Sequence, residues 1–353
     1  MTTASGGAAA PRRMVVDLQS SAPHMRLPDW GMARLRAAMP AGWTVVAVTA
    51  PSTSLGTGTN VPSAEALAAV REAEAYFSYG VDPAVLAAAP GLRWVHSASA
   101  GVGPSLTPAL RAHGAVFTNS AGVYGEAMAD SVLAGVLHFV RGLDVCVRQQ
   151  AARVWDQRPF MAGARANREL TDCRVLVVGA GGVGQAIARR FQALGCAVTG
   201  TRRRPALGVP PGCDRVVGGE ALDGELPGAD VVVLAAPATA ATAGVLDARR
   251  LALLPPGAVV VNVARAALLD GAALLAALDA GALRGAVLDV FPEEPLPPES
   301  PFWGHPGVLV IPHASPISPA RQWERVLALF AANWAAWDRG APLRNVVDQD
   351  AGY

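Results

Sequence analysis

The chain has 353 residues, of which 52% are hydrophobic and 16% charged, with a mean hydropathy of +0.30. At roughly 100–200 residues per domain, that predicts two domains with ample apolar material for two cores, and it excludes a disordered chain. The 29 basic residues are all Arg and face 28 acidic ones, for a net charge of +1. No broad basic field exists, so nucleic acid is not an expected partner. The absence of Lys excludes Schiff-base and P-loop lysine chemistry.

Cys146, Cys173, Cys196 and Cys213 show no CxxC or ligand-like spacing, so no metal site is expected. The opening MTTASGGAAAPRR lacks an apolar h-region, which argues against a signal peptide. Residues 1–12 read as a disordered tail. No apolar run reaches about 18 residues, so no membrane span is expected and a cytoplasmic protein is.

Short apolar runs then alternate with Ala-rich helical stretches. MVVDL (14–18), TVVAV (44–48), AYFSY (75–79), RWVHS (93–97) and AVFTN (115–119) read as strands. Between them lie helical patterns such as DWGMARLRAA, SAEALAAVREAEA and DPAVLAAA. A long helical pattern runs from 124 to about 150, followed by the less regular AARVWDQRPFMAGARANREL. A second series of strands begins at CRVLVVGAG (173–181). It continues through AVTGT (197–201), ADVVVLAAP (229–237), GAVVVNV (257–263), LRGAVLDV (283–290) and VLVIPH (308–313). The last segment, SPARQWERVLALFAANWAAWDRG, is an amphipathic helix.

Such alternation predicts α/β architecture: two Rossmann-like, doubly wound parallel-sheet domains. The expected division is a substrate domain of 13–121 and 317–353, with a dinucleotide-binding domain of 122–316 inserted into it.

Gly179, Gly181 and Gly184 form G-A-G-G-V-G between the strand CRVLVV and the helical VGQAIARRFQAL. In a dinucleotide fold the first Gly makes a tight turn, the second admits the pyrophosphate and the third lets helix and strand pack closely. Amides near Gly182 and Val183 would then face phosphate.

Ionisable groups cluster at predicted strand ends: Arg265 in NVARAALLD, Asp289, Glu293 and Glu294 in LDVFPEEPLPPESPFW, and His313 in VIPHAS. Ligands in open α/β sheets bind outside the carboxyl ends of strands, so these can converge. A guanidinium clamps a carboxylate and polarises a carbonyl. An imidazole moves the proton, and a carboxylate behind it fixes the tautomer.

In these motifs, GAGGVGQAIA, ADVVVLAAPATAAT, VNVARAALLDGAALLAAL, GAVLDVFPEEPLPPESPFWGHP and IPHAS, the chain resembles the D-isomer-specific 2-hydroxyacid dehydrogenases from about residue 75 to 335. FWGHPGVLVIPHAS and VRQQAARVWDQRP are most similar to the glyoxylate and hydroxypyruvate reductase branch. The resemblance implies that Arg265 holds the substrate, that Glu294 supports the histidine and that His313 is the acid/base. It assigns Asp289 to the nicotinamide carboxamide, and Ala236, Pro237, Thr242, Val263 and Ala264 to the cofactor site. It makes the amides of Ala100, Gly101 and Val102 in SASAGVG the anchor of the substrate carboxylate. Three positions depart from the family's habit: Ala266 after the arginine, and Ser99 and Gly103 at the ends of the anchor loop. Alternatives on the same fold are a phosphoglycerate dehydrogenase and a dinucleotide-sensing corepressor. Formate dehydrogenases fit less well, because Glu294 and His313 replace their Gln-His pair.

Other candidates read as structural. Glu293 is expected to be a solvated neighbour of Glu294. His305 and His138 are expected to pack, and His24, His96 and His113 lack a supporting motif. Trp323, Trp334 and Trp337 on the last helix are expected to pack as well. The resemblance also implies a homodimer formed through the helix of 124–150 and the Trp155 arm.

An acidic residue roughly 20 positions beyond the glycines binds the ribose of NAD. Here that strand ends in AVTGTRRRP, with Thr201 near the acidic position and Arg202, Arg203 and Arg204 after it. No carboxylate repels a 2′-phosphate, and a guanidinium binds one by two parallel hydrogen bonds. NADP(H) is therefore expected over NAD(H), with Arg202 as main contact and a hydroxyl contact from Thr201.

Overall fold

The computed structural model describes residues 12–54, 58–163 and 166–352. The chain divides into two compact units, Met1–Val123 with Ser318–Tyr353, and Tyr124–Ile317.

The first unit holds strands β1 (Arg12–Asp17), β2 (Trp43–Ala47), β3 (Ala75–Ser78), β4 (Trp94–Ser97) and β5 (Val116–Thr118). They form a parallel sheet in the order β2-β1-β3-β4-β5. Its helices are α1 (Asp29–Ala37), α2 (Ala64–Ala69), α3 (Pro83–Ala88) and α4 (Pro108–His113), with α12 (Gln322–Asp338) contributed by the end of the chain. Starts are set locally: Ser63, Asp82 and Thr107 accept the N–H groups of Ala66, Ala84 and Leu110. Pro83 and Pro108 occupy first-turn positions, where a missing N–H costs nothing.

Helix α12 packs by its aromatic face. Phe330 stacks on Phe77 at 4.0 Å and on Trp94 at 5.4 Å, and Trp334 meets Trp43 edge-on at 5.5 Å. Trp323 and Trp334 are buried, and Trp337 donates its indole N–H to Glu74 at 3.1 Å. The expected tail of 1–12 needs one correction, since Arg12 opens β1. Its guanidinium bonds Glu74 and Asp338, each at 2.7 Å, and lies 4.2 Å over the Trp43 ring. The rest of that tail, residues 1–11, lies outside the described residues.

The second unit contains β6 (Arg174–Val178), β7 (Ala197–Thr201), β8 (Arg215–Val217), β9 (Val231–Leu234), β10 (Ala258–Asn262), β11 (Leu283–Leu288) and β12 (Val308–Val310). All pairs are parallel, in the order β12-β11-β10-β9-β6-β7-β8. Its helices are α5 (Gly125–Val140), α6 (Leu143–Ala152), α7 (Gly182–Ala193), α8 (Leu222–Glu225), α9 (Ala248–Leu251), α10 (Gly271–Asp279) and α11 (Pro301–Gly304).

Val175 and Val177 of β6 face one core with α5 and α7, whereas Leu176 and Val178 face another with α10. Both sheet faces are thus covered, which is why the strands read as unbroken Val/Leu runs without alternation. The strand order reverses between β6 and β9, a topological switch point where this architecture opens a ligand crevice.

Two elements differ from expectation. The helix of 124–150 is two helices, because Gly142 takes φ +68° after the end of α5. A Cβ there would meet the Phe160 ring at 2.8 Å, so the chain turns at the one residue that fits. The edge strand β8 was not expected: its Arg-Val-Val is not bracketed by a longer apolar run of the kind that marks β5 and β12. Among the described residues, no helix is long and apolar enough to cross a membrane.

Candidate active site

The glycine turn leaves β6 at the switch point. Gly179 has φ +100°, and a Cβ on it would lie 2.6 Å from the Ala236 amide nitrogen. A Cβ on Gly184 would stand 2.1 Å from the Gly179 carbonyl oxygen. Packing therefore demands glycine at both positions. Gly181 differs, because a Cβ there would meet nothing within 4 Å. Its bareness leaves open space before the start of α7, where a pyrophosphate fits against helix amides such as those of Gly182 and Val183. The residues present therefore suit a dinucleotide.

Around this turn, Ala236 is buried and Pro237 exposed after β9, and Thr242 donates its hydroxyl to the Pro237 carbonyl at 2.6 Å. Val263 and Ala264 are buried just beyond β10. Thr201 ends β7 with 6% exposure, and its hydroxyl oxygen accepts the Gly179 N–H at 3.1 Å. Arg202 is half-buried and bonds the Gly208 carbonyl at 3.2 Å, whereas Arg203 and Arg204 are exposed.

The ionisable groups all follow strand ends at the same carboxyl edge of the sheet. Arg265 comes three residues after β10, Asp289 directly after β11, and His313 three residues after β12. His313 Nδ1 donates to Glu294 Oε2 at 2.6 Å, and the other Glu294 oxygen accepts the Phe291 N–H at 2.8 Å. This pairing leaves the far ring nitrogen, Nε2, as the one able to face a substrate. Burial pulls the Arg265 guanidinium below its ordinary pKa, and the Glu294 charge opposes that shift. It remains a cation at any working pH.

His313 has φ +51°, a left-handed conformation costing about 1–3 kcal/mol for a non-glycine residue. Asp289, 1% exposed, holds the next two residues. Its Oδ1 accepts the Ala314 and Ser315 N–H groups at 2.8 and 3.0 Å, and its Oδ2 accepts the Ser315 hydroxyl. Burial raises the Asp289 pKa, and the bonds from Ser315 work against that rise. Asn262 does the same for Arg265, donating to its carbonyl at 3.0 Å and accepting the Ala264 N–H at 3.0 Å. An Asn closing a run of buried valines was a readable sign of such a turn. Nothing local in the sequence marked Ser315.

In the first unit, the anchor loop follows β4. Asn119 donates to the Ala100 carbonyl at 2.9 Å, and Gly101 and Val102 pack against Gly58, where a Cβ would lie 2.4 Å from the Gly101 carbonyl oxygen.

His96, His113, His138 and His305 bond or pack within the fold. His96 is fully buried against Thr118, His113 meets the Ala89 carbonyl at 3.1 Å, and His138 is half-buried beside Phe139. His305 bonds Asp279 and the Gly307 N–H. Glu293 is exposed.

Comparison with known proteins fits this geometry. Residues 133–315 match the family described as D-isomer specific 2-hydroxyacid dehydrogenase, NAD binding domain. A glyoxylate/hydroxypyruvate reductase A of Salmonella newport is 34% identical over 230 residues, 65% of this chain and 70% of that protein. A D-isomer specific 2-hydroxyacid dehydrogenase from Xanthobacter autotrophicus, solved with NADPH and MES, is 30% identical with a TM-score of 0.78 over 98% of this chain and all of that one. An NADPH-dependent glyoxylate/hydroxypyruvate reductase from Sinorhizobium meliloti, solved with NADP and sulfate, is 28% identical with the same TM-score of 0.78 over 97% of this chain and all of that one. With the glycine turn at the switch point and Arg265, Glu294 and His313 along one sheet edge, the chain belongs to the NAD(P)-dependent D-isomer-specific 2-hydroxyacid dehydrogenases.

Proposed function

We propose that this dehydrogenase reduces a short 2-oxo acid of the glyoxylate or hydroxypyruvate kind to the D-2-hydroxy acid, with NADPH as reductant. The observation that carries the reading is the 2.6 Å His313–Glu294 pair on the same sheet edge as the Arg265 guanidinium. When bound, the reduced nicotinamide supplies the hydride for the carbonyl carbon. Arg265 binds the substrate carboxylate and polarises the carbonyl. His313, protonated and paired with Glu294, gives its proton to the carbonyl oxygen. Asp289 is assigned to the nicotinamide carboxamide: a carboxylate offers about four acceptor sites, and Ala314 and Ser315 use three.

Arg202, with Arg203 and Arg204 beside it, is assigned to the 2′-phosphate. The NADPH- and NADP-bound relatives support this choice. Steady-state rates with glyoxylate and hydroxypyruvate, using each reduced cofactor, test the proposal. Losing one charge-assisted phosphate contact costs about 1.5–3 kcal/mol. Arg202→Ala is thus expected to lower kcat/KM for NADPH by about 10–100-fold while leaving NADH nearly unchanged. Equal kcat/KM for the two cofactors in the unmodified enzyme would overturn the assignment.

The proposal includes a cytoplasmic homodimer. Leu143, Val147, Val154, Trp155 and Met161 are exposed along α6 and the segment after it, with Trp155 at 92%. Exposed apolar side chains grouped in this way mark an interface. Light scattering at micromolar concentration is expected to give twice the chain mass, and a monomer mass would refute it.

A further inference from the structure

We infer that Thr201 acts on the dinucleotide through the glycine turn, as the residue that holds the turn in its binding shape, and that it does not read the 2′-phosphate. The inference rests on the dinucleotide-binding reading of this unit and concerns how the turn is held.

Val178, the last residue of β6, pairs with Thr201, the last of β7. From that position Thr201 grips the two residues that follow Val178. Its hydroxyl oxygen accepts the Gly179 N–H at 3.1 Å, and its carbonyl accepts the Ala180 N–H at 2.7 Å. Both amides are thereby turned in toward β7. The turn has little freedom elsewhere, because Gly179 abuts Ala236 and Gly184 abuts the Gly179 carbonyl. The next amides, at Gly182 and Val183, open the 12-residue α7 and have no partner one turn earlier in the helix. They are the ones left to meet a diphosphate.

The side chain suits this duty. Thr201 is 6% exposed, so its hydroxyl faces the turn more than solvent. Branching at Cβ restricts χ1, which keeps the oxygen in place. A valine would have the same shape and no acceptor. The Gly179 N–H would lose its partner, and the turn would relax toward water.

The test is direct titration of NADPH and of NADH into the unmodified protein, Thr201→Val and Thr201→Ser, followed by tryptophan fluorescence, with melting of each cofactor-free protein alongside. Thr201→Val is expected to raise Kd about 5–30-fold for both dinucleotides by the same factor. Thr201→Ser, which keeps the acceptor, is expected to recover most of that loss. Loss of one hydrogen bond is expected to lower the cofactor-free melting temperature by only about 2–4 °C, leaving the protein folded for the titration. A loss confined to NADPH would show that Thr201 contacts the 2′-phosphate, and the inference would fall. Unchanged Kd values in Thr201→Val would also overturn it. If the unmodified protein binds neither dinucleotide, the cofactor reading fails and takes this inference with it, whereas a Thr201-only failure leaves unmodified binding intact.

Discussion

Replacing His313 with Ala is expected to lower kcat for glyoxylate reduction by about 100-fold or more. As the carbonyl carbon is reduced, its oxygen gains a full negative charge unless a proton arrives in the same step. His313 is the only imidazole among the described residues at this edge of the sheet, and Glu294 fixes its orientation through the 2.6 Å bond. Alanine removes both the proton and the positive charge that meets the developing alkoxide. The KM for glyoxylate should change far less, because carboxylate binding is assigned to Arg265. Steady-state kinetics over a range of pH checks this. A His313→Ala enzyme with near-normal turnover would sink the assignment.

Acid is expected to unfold the first unit through His96. This ring is fully buried, with Nδ1 at 2.7 Å from the Thr118 hydroxyl and Nε2 at 3.5 Å from that of Ser120. Phe77, Trp94 and Phe330 surround it. Burial among neutral groups pushes its pKa down to about 3, from 6.5 in an exposed histidine. The unfolded chain therefore binds the proton more readily than the native one between those two values. Stability is complete above pH 6.5 and declines as pH falls toward 3.

Each pH unit in that window is worth about 1.4 kcal/mol. Going from pH 6.5 to 4.5 should thus cost about 2 kcal/mol from this one group. Urea unfolding of the unmodified protein and of His96→Phe at both pH values measures it. Thr118 keeps its bonds to Trp94 and Val95 in that variant, and Ser120 keeps its bond to Ser97, so few polar groups are stranded. The variant should lose stability less steeply with acid. Parallel slopes would refute the role given to His96.

Where neighbours in sequence are also neighbours in space, most strands and the glycine turn could be read from residues alone. The Val/Leu runs of β6, β9 and β10 announced strands buried on both faces, because a parallel sheet with helices on each side leaves no polar face. Gly179 and Gly184 announced their turn, since close approach of backbone to backbone tolerates no Cβ at either. The placement of Arg265, Asp289 and His313 at one edge could be read in advance because each lies within three residues of a strand end, and parallel strands deliver their carboxyl ends to one edge. Gly142 was equally visible in sequence, but the helical periodicity on either side masked the break it makes between α5 and α6.

Long-range partners were settled only by the tertiary structure. Arg12 became part of β1 because Glu74 and Asp338 come from distant segments to meet it. His96 looked like any unsupported histidine until Phe330 of α12, more than two hundred residues away, closed over it and removed water. Thr201 was readable as a residue at the ribose end of the strand. That its hydroxyl turns to the Gly179 amide depends on the β6–β7 register, which sequence does not encode locally. Asp289 likewise was marked as a carboxylate at a strand end, while its three bonds to Ala314 and Ser315 needed β11 and β12 to be side by side. Periodicity and backbone sterics act over a few residues and so are written in the sequence, whereas desolvation and hydrogen-bond partnership arise only once the chain has closed on itself.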